Sequence, residues 1–97
     1  MTVYAIVGDL MDRARIDEAI LDVQHVTPGT IGHLATEQDL VLVDLARVGT
    51  AVALAVATGA RVVGFAPHVD DETLRAAEAA GCEALPRSVF FRRLPTL

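Results

Sequence analysis

DLVLVDLAR, from Asp39 to Arg47, constrains the fold more than any other stretch. It is a short apolar run with β-branched residues at Val41 and Val43, opened by Asp39 and interrupted by Asp44. A run like this, bounded by turn signals and flanked by helix-like segments, predicts a strand buried on both faces at the centre of a parallel sheet. Open α/β sheets place their ligands outside the carboxyl ends of such strands, so Asp44 stands where a site is expected.

The neighbouring segments fit that centre. Val3 to Val7 predicts a second buried strand, ended by Gly8 and Asp9, with Asp9 capping a helix and Asp12 in its first turn. Ile16, Ala19 and Ile20 share one face of that helix. Asp22 to Thr27 alternates like a short strand, and Thr30 is the expected cap of a small helix through Gln38. Val48 to Thr58 is small and apolar, which predicts a helix packed on more than one side and closed by Gly59. Arg61 to Phe65 reads as a strand, and Asp70 caps a helix that runs to Ala80 with Leu74 and Ala77 facing inward. Glu83 to Leu85 is the last strand, and Ser88 caps a short final helix carrying Phe90, Phe91 and Leu94.

At 97 residues this alternation predicts one domain, residues 1–97, built as a three-layer doubly wound (βα)5 fold. The expected sheet has five parallel strands in the order 2-1-3-4-5, the flavodoxin-like arrangement, with a truncated last helix. That order puts the switch point between the first and third strands, where Asp9 and Asp44 end their segments.

The chemistry that can be excluded is substantial. A net charge of −5 argues against nucleic acid or an anionic membrane surface as a direct partner. No apolar run reaches transmembrane length and no leader pattern opens the chain, so the expected location is cytoplasmic. The single cysteine, Cys82, excludes an internal disulfide and reads as a small half-buried residue. His25, His33 and His68 have no spacing that brings two of them to a carboxylate, which rejects a zinc site. His68 follows the fourth strand, within reach of either the crevice beside Asp44 or the nearby Asp70 and Asp71. There is no G-x-G-x-x-G, Walker loop or G-x-S-x-G elbow, so the expectation is a protein that is not an enzyme.

From VYAIVGD to PRSVFFRRL the chain resembles the receiver domain of bacterial response regulators. DLVLVDL is similar to the family's third strand, whose terminal aspartate accepts phosphate; the resemblance makes Asp44 the possible acceptor. The first strand of that family ends in two acidic residues that hold Mg²⁺, and here the pair is Gly8 and Asp9, which leaves Asp9 with Asp44 as a weak Mg²⁺ site. The fourth-strand Ser or Thr falls on Ala66, and the fifth-strand Lys-Pro falls on Arg87 and Ser88, making Arg87 the possible phosphate contact. The switch aromatic of the fifth strand falls on Ala84 or Leu85.

These departures imply a pseudo-receiver, a regulatory or protein-interaction module independent of phosphorylation. The rival expectation is a genuine phospho-acceptor of a two-component system. Without chemistry as its function, the module is expected to work through a protein partner or homodimer, with Phe90, Phe91 and Leu94 on the interface left open by the short final helix. Apart from these roles, Asp44 also reads as a strand-end cap, Asp9 as a helix cap and Arg87 as a carboxylate-paired arginine.

Overall fold

In the computed structural model, which describes residues 1–97, the predicted alternation folds into a five-stranded, all-parallel sheet in the order β2-β1-β3-β4-β5. The strands are β1 (Val3–Ile6), β2 (Gln24–His25), β3 (Leu40–Asp44), β4 (Arg61–Ala66) and β5 (Glu83–Pro86). The helices are α1 (Leu10–Ala19), α2 (Pro28–Leu34), α3 (Leu45–Val48), α4 (Ala51–Val56), α5 (Asp71–Ala79) and α6 (Arg87–Arg93), followed by a 3₁₀ turn at Leu94–Thr96. The topology is that of the flavodoxin-like fold. No helix is long and apolar enough to cross a membrane.

The central position of β3 follows from its sequence, since all five of its residues are buried. Successive side chains of a strand point to opposite faces, so β3 feeds two separate cores. Val41 and Val43 pack with Ile31, Val52 and Ala77 under α2, α4 and α5. Leu42 packs with Ile16 of α1 and with Phe65, Phe90 and Leu94 on the other face. Full burial of one such side chain contributes roughly 1.5–3 kcal/mol.

Four local expectations are corrected. Phe90, Phe91 and Leu94 are not left open: they are 0%, 8% and 2% exposed and close the second core. Phe65 and Phe90 stack with centroids 4.5 Å apart, and Phe91 meets both rings edge-on, so even a short helix covers the sheet. Ser88 lies inside α6, whose cap is Pro86; proline's fixed φ starts the helix straight from the strand. Likewise Thr27, not Thr30, precedes α2, because Pro28 takes the first helical position, and that helix stops at Leu34.

The fourth correction concerns the segment after β3. Helix begins at Leu45 rather than Val48, and it is interrupted at Gly49–Thr50, where the Val52 N–H bonds the Gly49 carbonyl at 3.2 Å. Leu45 is the cause of the early start, because its side chain lies on the bare backbone of Gly64 in β4. A Cβ built at Gly64 would come within 2.5 Å of the Leu45 side chain. That close approach turns the chain immediately at the strand end. At the end of α5, Gly81 takes φ +103°, a positive-φ conformation that suits glycine and stops the helix.

Candidate functional site

Asp9, Asp12, Asp44, Arg47 and Arg87 line one crevice of about 290 Å³ at the carboxyl ends of the central strands. Topology explains the meeting: β1 and β3 are adjacent in the sheet although their chain connections run outward in opposite directions. Asp9 and Asp44 therefore do converge on one crevice, together with Arg87 from the end of β5.

Asp9 is fixed by the helix it caps. Its Oδ1 accepts the N–H groups of Met11 at 2.9 Å and Asp12 at 3.0 Å. The Asp12 N–H, then that of Met11 and the guanidinium of Arg47, hold the Asp9 carboxyl below its ordinary range, outweighing the opposing effect of burial. Asp44 is shifted the other way. Burial pushes its carboxyl above the ordinary range, against backbone N–H groups and Arg47 that favour the charged form. Two aspartates in one crevice thus have opposite electrostatic settings.

Arg47 stands between them, with Nη2 at 4.0 Å from Asp9 Oδ2 and Nε at 3.9 Å from Asp44 Oδ2. It comes from α3, one turn beyond Asp44, so the sequence spacing delivers it to the crevice. Arg87 is held elsewhere. Its Nη1 donates to Asp12 Oδ2 at 2.9 Å and its Nη2 to Asp12 Oδ1, a bidentate fork between residues 75 positions apart. Asp12 is 3% exposed, which makes this the most enclosed ion pair of the crevice.

Asp12 is the residue that the sequence reading placed only at a helix start. Its spacing from Ile16 was the available signal: positions i and i+4 share a helix face, and Ile16 faces the core. An aspartate on an inward face needs a hydrogen-bonding partner, and Arg87 supplies it.

The donor set does not make a resident Mg²⁺ site. Both Asp12 oxygens are taken by Arg87, one Asp9 oxygen is taken by the helix cap, and the Arg47 guanidinium lies 4.0 Å from the remaining Asp9 oxygen and 3.9 Å from Oδ2 of Asp44. No group of three or more acidic, histidine or cysteine side chains in the chain is arranged to hold a metal ion. Mg²⁺ takes near-octahedral oxygen ligands, and here an arginine cation already lies against the two carboxylates that face it.

The neighbouring positions settle into ordinary roles. Ala66 is fully buried in the core under α5, and strand alternation turns it away from the face that carries Asp44 and Phe65. Burial pushes the Cys82 thiol up to about 11, so it stays protonated and unreactive. His25 pairs with Asp17 at 2.7 Å. His68 lies not over Asp44 but on a second cavity, on the other side of Arg87. No family model, curated protein or solved structure matches the chain.

Proposed function

We propose that this chain is a receiver-like regulatory module that works without phosphorylation, by presenting the rim of its crevice to a protein partner. The observation that carries the reading is that both cations of the crevice are committed to its own carboxylates: the single Arg47 lies beside Asp9 and Asp44, and Arg87 is forked onto Asp12. Phosphoryl transfer to a carboxylate needs a cation and donors aimed at the charge in flight. In this crevice the cations serve the protein's own carboxylates instead, and Ala66 offers no hydroxyl.

The rim supplies what a binding module needs. Leu10 and Met11 at the start of α1 are 76% and 78% exposed, and Val69 in the loop after β4 is 78% exposed. All three lie at the carboxyl ends of the strands, and exposed apolar residues grouped on one end of a small domain suit protein contact. A second copy of the chain is the economical partner. Size-exclusion chromatography with light scattering at micromolar concentration should return a dimer that Met11→Glu and Val69→Glu dissociate; a monomer at every concentration removes the homodimer from the proposal.

A second reading, a genuine phospho-acceptor, has one observation in its favour: Asp9, Asp44 and Arg87 line the same crevice. Incubation with acetyl phosphate and Mg²⁺, followed by intact-mass measurement, separates the two. The module proposed here gains no phosphoryl group. A gain that Asp44→Asn abolishes establishes the acceptor and overturns the first reading.

A further inference from the structure

Arg87 is a wall shared by two compartments, and the second has a different balance of charge from the crevice. Arg15 from α1, His68 from the loop after β4, and Ser88 and Arg92 from α6 line a cavity of about 550 Å³ with Arg87 and Phe91. No carboxylate lines it. The chain carries 13 acidic residues against eight basic ones, so three arginines gathered without an acid run against its composition. Neither Arg15 nor Arg92 belongs to any ion pair of the chain. Arg15 is stationed by packing instead, its guanidinium 3.9 Å from the Phe91 ring centroid. That contact seats the guanidinium over an aromatic floor while the Arg15 side chain remains exposed.

We propose that this cavity binds the phosphate group of a small phosphate monoester, with Arg15 and Arg92 as the principal donors and Ser88 and His68 as accessory ones. Three features select that class. Guanidinium forks match oxyanions in geometry as well as charge. The donors approach from three separate elements, α1, the β4–α5 loop and α6, which suits a tetrahedral group with three free oxygens better than a planar carboxylate. The volume exceeds that of a bare phosphate and falls within the range of small-molecule sites, roughly 300–1,000 Å³. Arg87 adds positive field, and its fork to Asp12 uses two of its five N–H groups. The site does not depend on the state of Asp44, so it stands or falls separately from the function proposed above.

The test is titration calorimetry at low ionic strength on the full chain, with ribose 5-phosphate, adenosine monophosphate, inorganic phosphate and succinate as probes. At least one monoester should saturate at one site per chain, more tightly than inorganic phosphate, while succinate gives no saturation. Arg15→Gln with Arg92→Gln should weaken that monoester at least about tenfold, a difference well inside the resolution of the method. Arg75→Gln, which removes an arginine paired with Asp71 outside the cavity, should leave it unchanged. Because Arg15 also covers Phe91, Arg92→Gln alone is measured as well and should weaken binding with an unaltered melting temperature. The proposal is overturned if neither monoester saturates below about 10 mM. It is equally overturned if binding survives both substitutions, or if inorganic phosphate or succinate binds as tightly as the esters.

Discussion

The two compartments on either side of Arg87 are built from similar parts and balanced in opposite ways. In the crevice every carboxylate has an arginine beside it; in the neighbouring cavity no carboxylate lines the wall, and Arg15 and Arg92 belong to no ion pair. Paired charges in a partly enclosed site mainly offset their own desolvation, and they hold the surrounding elements in register. Unpaired cations at a solvent-open cavity keep their charge available to a ligand. The difference teaches that the position favoured by topology, at the switch point, need not be where free binding capacity resides.

The largest expected effect comes from the floor beneath both compartments. Phe90 is fully buried against Phe65 and Phe91, and Arg87 lies 5.5 Å and 4.9 Å from the centroids of the latter two. Phe90→Ala should cost about 3–5 kcal/mol in urea unfolding and loosen crevice and cavity together. A loss under 1 kcal/mol would show that the floor is not common to both.

Next in size is the pair that divides them. Asp12→Ala leaves Arg87 without its fork; breaking a fully buried pair costs about 3–5 kcal/mol, and the partial exposure of Arg87 lowers the expectation to about 1–3 kcal/mol. The double variant with Arg87→Ala should recover part of that loss, which a mutant cycle measures directly. Additive losses would mean that the fork is incidental to the division.

The pH dependence sharpens the contrast inside the crevice itself. Asp9 titrates below its unfolded value, so its contribution to stability is present above that value and is lost as pH falls through the folded one. Asp44 titrates above its unfolded value, so ionising it costs stability as pH rises from the unfolded value through the folded one. Carboxyl NMR titration should therefore place Asp44 above Asp9, and Asp44→Asn should raise stability near neutral pH with the gain vanishing in acid. Coincident titrations would remove the asymmetry.

The smallest effect is expected far from either compartment. Arg61 and Glu83 make a bidentate surface pair, with Nη2 to Oε1 at 3.1 Å and both side chains about half exposed. Arg61→Ala should change stability by less than about 1 kcal/mol. A larger loss would mean that exposed pairs matter here as much as the enclosed one.

Sheet order, the two central strands, the Asp9 and Asp70 caps and the convergence of Asp9 with Asp44 were legible in the sequence, because each rests on local pattern or on a general rule of α/β topology. The pairing of Asp12 with Arg87 was not, since it joins residues 75 positions apart that no local period connects. Nor was the burial of Phe91. A final helix of seven residues looked too short to cover the sheet, yet three aromatic rings interlock and close it. The Leu45 turn escaped notice because its cause, the bare backbone of Gly64, lies on a different strand. The basic cavity draws on α1, a loop and α6, and only folding brings Arg15 to Arg92.

That the crevice's own arginines occupy its carboxylates is tested most directly by titrating the wild-type chain with Mg²⁺ while following the Asp9 and Asp44 carboxyl resonances. The account predicts small, unsaturated shifts in the wild type up to about 10 mM and a stronger, saturating response once Arg47→Ala removes the resident cation. Saturation of both carboxyls in the wild type at submillimolar Mg²⁺ would contradict it.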